Sequence, residues 1–128
     1  MQLLKWQPGP LAGFAGPAYV SATRFTYRHL WHMPAVIWYG LGLRRDWPRT
    51  EGAVGVSIGA DLWRRTAYTV SVWRDEADLQ RWLRSPAHLR LMRDFRGRLE
   101  SSDAQYWTTT GFRLREAWGR ALESLAPV

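Results

Sequence analysis

Alternating apolar and polar positions predict four strands in this chain. Residues 18–27, 53–62, 67–73 and 105–112 place large side chains at every second position, which is the periodicity of a strand with two different faces. The second and third strands are joined by a short turn at Arg64 and Arg65, so we expect them to form an antiparallel hairpin. The four segments together predict one antiparallel sheet.

Apolar residues at helical spacing fill the segments between these strands. Residues 29–45 predict a first helix with Pro34 in its first turn, and residues 114–125 predict a terminal helix. A second apolar stripe runs from residue 79 to Leu99, beginning after a capping residue at Asp75. Ser85 and Pro86 interrupt that stripe, and a cap followed by a first-turn proline predicts that the helix breaks and restarts there.

The order of elements is β-α-β-β-α-β followed by a helix. This order predicts an α+β fold of the ferredoxin-like type, with a four-stranded sheet whose helices lie on one face, plus the C-terminal helix. We expect residues 18–128 to form this single domain, because 128 residues leave room for one hydrophobic core. Residues 1–17 are rich in Pro and Gly and predict an extended N-terminal arm.

The two faces of the predicted sheet differ in chemistry. Large aliphatic side chains share one parity, which we assign to the helix side: Val20, Val54, Val56, Ile58, Val70 and Val72. The side chains of the other parity are small, often hydroxylated and nearly all uncharged, whereas a face exposed to water normally carries charged residues. We therefore expect that second face to be buried, either in a flat interface with a second copy or in an interface that also encloses a ligand.

The segment around the third strand resembles a known superfamily. The run YTVSVWRDEADL at 68–79, followed by RWLRSPAH at 81–88, resembles the dimeric α/β-barrel superfamily, which includes the antibiotic-biosynthesis monooxygenases. The segments at 28–31, 43–45 and 49–52 are similar in layout to spheroidene monooxygenase-like proteins. The resemblance implies a homodimer whose sheets face each other, with a pocket in each protomer for a hydrophobic small molecule.

The function that this resemblance implies is a small-molecule enzyme of secondary or carotenoid-type metabolism, most simply an oxygenase-like one. A cyclase or isomerase, or a ligand-binding accessory protein without catalysis, are the alternatives. Relatives include haem-dependent and cofactor-free enzymes, so the resemblance leaves two alternatives: a haem cofactor or no cofactor. Some cofactor-free oxygenases and one haem-degrading branch of the superfamily use an Asn near the substrate. This chain contains no Asn, so that role cannot be carried over.

Two histidines are candidates for the catalytic chemistry. His88 lies near the start of the restarted helix, where the helix dipole favours the neutral imidazole that can accept a proton or ligate haem iron. The alternative for His88 is a half-buried side chain bonded to a backbone carbonyl. His32 is a second candidate base. It lies one turn from His29, but no acidic third ligand is near in sequence, and we predict no metal site there.

The candidate substrate or cofactor contacts lie on the strands. Nine Trp residues in a small domain can supply flat walls for a planar or polyene ligand, and we expect the two strand tryptophans at 73 and 107 to line the cavity. Arg24 is the one charge on the aliphatic parity, so we expect it to pair with an acid such as Asp61 or to bind an anionic group. The full set of candidates is Arg24, Phe25, Ser57, Thr69, Ser71, Trp73 and Trp107.

Composition excludes several classes of protein. With 46% hydrophobic and 23% charged residues the chain is not disordered, and without Cys it has no disulfide, thiolate metal site or Cys nucleophile. The net charge of +7 rests on arginines that we place on helix surfaces, and the sheet lacks an aromatic platform for bases, so we predict no nucleic-acid partner. No apolar stretch reaches the roughly 20 residues of a membrane span, and residues 1–17 do not match a secretory signal, so we expect a cytoplasmic protein.

Overall fold

A computed structural model describes residues 1–125 of the chain. The strands are β1 (Gln2–Leu3), β2 (Gln7–Pro8), β3 (Ala18–Tyr27), β4 (Ala53–Asp61), β5 (Thr66–Trp73) and β6 (Leu99–Thr109). The helices are α1 (Met33–Asp46), α2 (Glu76–Leu83), α3 (Pro86–Phe95) and α4 (Leu114–Ser124). No helix within the described residues is both long enough and apolar enough to cross a membrane.

The four long strands form one antiparallel sheet in the order β4-β5-β3-β6. This is the strand order of the ferredoxin-like fold, and it confirms the fold expected from the sequence. The arm at residues 1–17 runs along the free edge of β4, where β1 and β2 both pair with that strand. The amide of Leu4 donates to the carbonyl of Ile58 at 2.8 Å, and the amide of Gly9 donates to that of Val54 at 2.9 Å.

The predicted helix break is present, and both of its caps are formed. The Asp75 carboxylate accepts a hydrogen bond from the Asp78 amide at 2.9 Å, and the Ser85 hydroxyl accepts one from the His88 amide at 3.3 Å. The helical run ends sooner than predicted, because α3 stops at Phe95 and a short 3-10 turn follows. Leu99 consequently begins β6 instead of completing the helical stripe, and the fourth strand starts there and not at residue 105.

The assignment of the sheet faces was wrong. Val20, Val70 and Val72 pack against Ala117 and Trp118 of the terminal helix α4. The small, hydroxylated parity of β3 and β5 faces α1, α2 and α3 instead. The aliphatic side chains thus find their partner in the fourth helix, and the small side chains lie where space is left below the other three helices.

A bulge divides the residues of β4 between the two faces of the sheet, and an alternating sequence pattern does not reveal it. The register of β4 against β5 shifts between Ala53 and Gly55, and beyond the shift Val56 lies opposite Ser71 and Ile58 opposite Thr69. A bulge of this kind inserts one residue and reverses the parity on one side of it. Val56 and Ile58 therefore belong to the face below α1 and α2, while Val54 packs on the α4 side.

The α4 face of the sheet is covered within the protomer. Trp6 of the arm lies over Gly55, where an added Cβ atom would meet the indole ring at 1.9 Å, and its ring stacks on Phe112 at 5.5 Å. Together with α4, the arm occupies the surface that a second sheet would need. The expected face-to-face packing of two sheets is therefore not available in this conformation of the protomer.

Candidate functional site

A cavity of about 460 Å³ lies between the hydroxylated face of the sheet and the helices. Its floor comes from β3 and β5, where Ser21 pairs with Ser71 and Thr23 pairs with Thr69 across the two strands. Four small side chains in a patch leave space that larger residues would fill. The opposite wall is apolar and comes from α2 and α3, with Leu79, Trp82, Leu83, His88, Leu91, Met92 and Phe95.

His88 is the titratable side chain that α3 contributes to this cavity. Its Nδ1 atom lies 3.0 Å from the carbonyl oxygen of Leu83, at the end of α2. A carbonyl only accepts hydrogen bonds, so a neutral ring bonded in this way carries its proton on Nδ1 and leaves Nε2 with a free lone pair. The Trp82 indole lies against the same imidazole, with ring centroids 4.6 Å apart.

The environment of His88 favours the form that can accept a proton. Burial lowers the pKa of the imidazole from its ordinary value of 6.5, and the bond to the Leu83 carbonyl opposes this shift only in part. Burial acts because the charged imidazolium loses more hydration than the neutral ring does. At neutral pH the ring is therefore uncharged, and Nε2 is an acceptor.

A second, apolar chamber of about 210 Å³ adjoins the main cavity behind α1. Six residues line both spaces: Phe25, Tyr27, Leu43, Thr69, Leu91 and Phe95. The chamber continues between α1 and β4 as far as Ile37 and Leu62. Its walls are almost entirely hydrocarbon, so it favours an apolar portion of a ligand over a polar one.

An outer groove of about 660 Å³ lies between α1 and the α2–α3 pair. Trp82, His88 and Leu91 line both this groove and the inner cavity, so His88 stands where the two spaces meet. The groove has a basic rim formed by Arg45, Arg49, Arg81 and Arg90, with Asp46 and Glu51 as its acids. A ligand that occupies both spaces would have its apolar part inside and its polar part at this rim.

A buried carboxylate fixes the wall of the outer groove. Asp78 is fully buried and accepts hydrogen bonds from Arg74 at 2.8 and 2.9 Å and from Arg81 at 2.8 Å. Burial by itself would raise the pKa of this carboxyl, but the two guanidinium groups outweigh it and hold the pKa below its usual value. The Asp78 side chain also packs against Gly52, where φ is 82° and an added Cβ atom would overlap the Asp78 carboxylate, so Asp78 anchors the loop before β4 to α2.

Three of the strand residues predicted to contact a ligand line the cavity: Phe25, Thr69 and Ser71. Two others lie on the opposite face of the sheet. Ser57 accepts a hydrogen bond from the Trp118 indole at 2.9 Å, and Trp107 lies under the guanidinium of Arg120 at 4.3 Å. Ser57 lies opposite Val70 and Trp107 lies opposite Val20, so both residues are on the face that α4 covers.

Trp73 is part of the core and does not line the cavity. It is fully buried, its indole nitrogen donates to the Ser71 hydroxyl at 3.0 Å, and its ring packs against Trp47 and Trp82. The tryptophans that line the cavity are Trp47 and Trp82, and apolar spacing alone assigns Trp82 to the core. The available signal for Trp82 was its position near the end of α2, three residues before the cap at Ser85.

Arg24 also lies outside the cavity. Its guanidinium donates to Thr26 at 2.9 Å and to Ser101 at 3.3 Å, and its Nε atom is buried without a partner among the described residues. The expected partner Asp61 instead pairs with Arg64 at 3.7 Å. Arg24 therefore bridges β3 and β6 near the end of the sheet.

His32 lies outside the three spaces described above. It packs against His29 and Trp31 at the start of α1, and its Nδ1 atom is buried without a partner among the described residues. Burial, followed by the neighbouring His29, lowers the pKa of His32. The described residues include no group of three or more His, Cys, Asp or Glu side chains that could hold a metal ion.

The fold is shared with several solved structures. A protein from Pseudomonas aeruginosa superposes with a TM-score of 0.66 at 18% identity, covering 77% of this chain and 100% of that one. A protein from Bacteroides thetaiotaomicron, by its description an antibiotic biosynthesis monooxygenase, superposes with a TM-score of 0.64 at 11% identity, covering 76% and 95%. SnoaB from Streptomyces nogalater, described as a cofactor-independent oxygenase, superposes with a TM-score of 0.58 at 17% identity, covering 76% and 97%.

This chain has the fold of the antibiotic-biosynthesis monooxygenase-like proteins. The superpositions show that the chain shares its fold with these solved structures. Identities of 11–18% carry no information on substrate or reaction. No family model matches the sequence, and no curated protein matches it.

Proposed function

We propose that the protein is an oxygenase-like enzyme of secondary metabolism that binds a planar, hydrophobic small molecule in the cavity above Ser21, Thr23, Thr69 and Ser71. The observation that carries the proposal is His88: a neutral imidazole at the cavity wall, with Nδ1 held by the Leu83 carbonyl and Nε2 free. A base in this state can remove a proton from an acidic C–H or O–H group of a bound substrate.

The reaction can be written without a cofactor for a methylene flanked by aromatic rings. His88 Nε2 takes one proton from the methylene, and the resulting carbanion transfers its electrons to molecular oxygen. A C–O bond forms, and return of the proton from His88 gives a hydroperoxide. Loss of water then breaks the O–O bond and leaves a carbonyl group. In total, CH₂ and O₂ become C=O and H₂O, and the substrate supplies all four electrons.

The hydroxyl groups of the floor would orient the substrate. Ser71 Oγ already receives the indole N–H of Trp73 and lies 3.5 Å from the carbonyl of Ser21, so its direction is fixed. Thr23 and Thr69 have no side-chain hydrogen-bond partner among the described residues, and their hydroxyls can serve a carbonyl or phenol of the substrate. The apolar chamber beyond Phe25 and Thr69 would take a hydrocarbon ring or chain.

Haem is the second candidate, and one feature of His88 favours it. A metal-bound histidine usually donates its other ring N–H to a carbonyl or carboxylate, as His88 does to Leu83. His88 would bind the haem iron, and Arg81 and Arg90 at the groove rim would pair with the haem carboxylates. When bound, haem would supply the activation of oxygen, and the substrate would need no acidic proton.

Oxygen consumption separates these versions from the cyclase, isomerase and accessory-protein alternatives. Purified protein is given a series of hydroxylated anthrones, with oxygen followed by electrode and products by mass. We expect turnover in the wild type and a decrease in turnover of about 10²- to 10⁴-fold in His88→Gln. The matched control His29→Gln should turn over at the wild-type rate. Product without oxygen uptake would favour the cyclase or isomerase, and tight binding without any product would favour the accessory protein.

A haem titration distinguishes the two oxygenase versions. A Soret band that forms in the wild type and is lost in His88→Ala supports haem ligation. Wild-type protein that takes up no haem and still consumes oxygen supports the cofactor-free reaction.

We also propose that the protein is a homodimer, joined at β6 instead of through the faces of its sheets. β6 pairs only with β3 among the described strands, so its outward-facing backbone groups have no partner strand, and the Ala104 amide donates instead to the neighbouring Asp103 carboxylate at 2.8 Å. Its exposed residues Ser102, Ala104 and Tyr106 border the cavity, and a second copy at this edge would close that side. Light scattering should give twice the chain mass of 14.9 kDa, and Ala104→Pro should restore the monomer mass.

A further inference from the structure

The outer face of α1 is apolar, although it faces solvent. A surface helix normally turns apolar residues to the core and polar residues to water. Here Trp31, in the 3-10 turn that leads into α1, and Trp38 of α1 are 72% and 74% exposed. Ile37 and Leu41 extend the same surface and are also exposed.

The tip of the β4–β5 hairpin adjoins this helix face. Trp63 at the tip is 85% exposed, and its neighbour Leu62 is exposed as well. Leu62 and Ile37 line the same apolar chamber, so the tip and α1 lie side by side. We call the surface formed by Trp31, Ile37, Trp38, Leu41, Leu62 and Trp63 the aromatic patch. Large apolar residues in one exposed patch mark an interaction surface, whereas scattered ones do not.

Positive charge lies beside the aromatic patch, because Trp38 lines the outer groove together with Arg45 and Arg49. Arg28 donates to the carbonyl of Leu99 at 2.9 Å and Arg44 to that of Lys5 at 3.0 Å, and neither forms an ion pair with a described acid. Arg45 and Arg49 share a single carboxylate, that of Asp46. The other nearby arginines, Arg64 and Arg65, are each balanced by one acid, so the surroundings of the patch are cationic overall.

We propose that the aromatic patch docks the protein on an anionic lipid surface. Tryptophan is enriched at the boundary between headgroups and acyl chains, and arginines beside it attract anionic headgroups. A second copy of this chain is a poorer occupant, because pairing two identical patches would bring the same cations together between molecules that each carry a net charge of +7.

Docking in this orientation would give a lipophilic substrate a route to the site, a point that rests on the proposed function. The apolar chamber has Ile37 and Leu62 at the patch, and it meets the main cavity at Phe25 and Thr69. A hydrocarbon portion could therefore pass from the bilayer surface to the wall that carries His88 without crossing water.

Vesicle flotation tests the docking directly. The full chain is mixed with vesicles of phosphatidylcholine containing about one quarter phosphatidylglycerol, and in parallel with pure phosphatidylcholine. We expect flotation with the anionic vesicles, weakened by added salt, and a blue shift of the tryptophan emission. Trp38→Ser combined with Trp63→Ser should weaken partitioning by about tenfold or more, because exposed aromatic area is lost. The matched control Leu89→Ser removes an exposed side chain of α3 outside the patch and should leave flotation unchanged.

Three results would overturn the proposal. These are no flotation of the wild type, equal flotation on both kinds of vesicle, or unchanged flotation of the double variant. Sedimentation velocity tests whether a second copy of the chain occupies the patch instead. A double variant that no longer forms a dimer but still floats with the vesicles would assign the patch to a second copy. Circular dichroism checks that the variants are folded. Oxygen uptake with a water-soluble substrate is measured separately, so failure of docking and failure of the proposed reaction are told apart.

Discussion

The Nδ1 atom of His88 lies 3.0 Å from the carbonyl oxygen of Leu83, and this contact spans the break between α2 and α3. The break exists because Ser85 caps α3 and Pro86 occupies its first turn. Ser85 and Pro86 therefore place His88 next to the end of α2, and the bond to Leu83 that results determines which ring nitrogen of His88 is free.

Removing the cap of α3 should disturb the site without removing the base. Ser85→Ala deletes the hydroxyl that accepts the His88 amide, which should lower the free energy of unfolding by about 1 kcal/mol. Turnover should fall while its pH profile keeps its shape, because the imidazole remains. Urea denaturation and steady-state kinetics measure the two effects. Ser85→Asp retains an acceptor and should behave like the wild type; a loss equal to that of Ser85→Ala would contradict the capping role.

The pH dependence of stability should report the buried imidazole. The pKa of His88 is lower in the folded chain than its ordinary value of 6.5, so the unfolded chain binds this proton first as the pH falls. The contribution of the neutral His88 ring to the free energy of unfolding is complete above about pH 6.5 and is lost as the pH falls toward the folded-state pKa. The free energy of unfolding should therefore decrease with acidification from neutral pH.

His88→Gln isolates this effect, because the pKa of His32 is shifted in the same direction. The decrease on acidification should be shallower in the variant than in the wild type, as measured by urea denaturation at several pH values. Turnover of the wild type should rise with pH through a value below 6.5, as expected for a base that acts when neutral. Identical stability profiles for the two proteins would show that His88 is not the buried titrating group.

Neutralising the buried carboxylate should destabilise the fold. Asp78→Asn leaves Arg74 and Arg81 without their shared partner and should lower the free energy of unfolding by about 2–4 kcal/mol, less than for a wholly buried pair because both arginines are about half exposed. Chemical denaturation measures the change. Glu123→Gln changes an exposed acid of α4 and should have an effect below about 0.5 kcal/mol. Equal effects of the two substitutions would refute the anchoring role of Asp78.

The N-terminal arm should be coupled to β4 through one close approach. Gly55→Ala places a methyl group at the position of the Trp6 indole, so it should displace the arm and destabilise the protein by about 1–3 kcal/mol. In a Trp6→Ala background the same substitution should cost much less, and the double-mutant cycle gives the coupling energy. Additive effects would mean that Trp6 does not lie over Gly55 in solution.

Much of the fold could be predicted from the sequence, and the reasons are local. β3 alternates cleanly and has the predicted bounds 18–27, and the caps at Asp75 and Ser85 marked where α2 and α3 begin. The error in β6 arose because Leu99 continued the helical spacing of α3 beyond the true end of the helix at Phe95. Apolar spacing cannot register where a helix stops if the next residues happen to keep its phase.

The site was harder to predict because it depends on which face of the sheet each helix covers. Alternation separates Ser71 from Val70, but it does not say that α4 would take the aliphatic side or that a bulge at Ala53 and Gly55 would reverse part of β4. Ser57 and Trp107 were therefore grouped with the wrong face. The position of His88 in the first turn of α3, in contrast, could be predicted because its signal is local: a cap, a proline and a histidine in the first turn of one helix.

The structure of a complex tests the central claim most directly, which is that the cavity above Thr69 and Ser71 holds the substrate next to His88. Crystals of the protein with a bound hydroxylated anthraquinone would locate the ligand and the imidazole together. The account predicts the ring system between the sheet and α3, with a ligand oxygen within hydrogen-bonding distance of Nε2 and Nδ1 still bonded to the Leu83 carbonyl. A ligand bound elsewhere, or a His88 ring turned so that Nε2 faces Leu83, would contradict it.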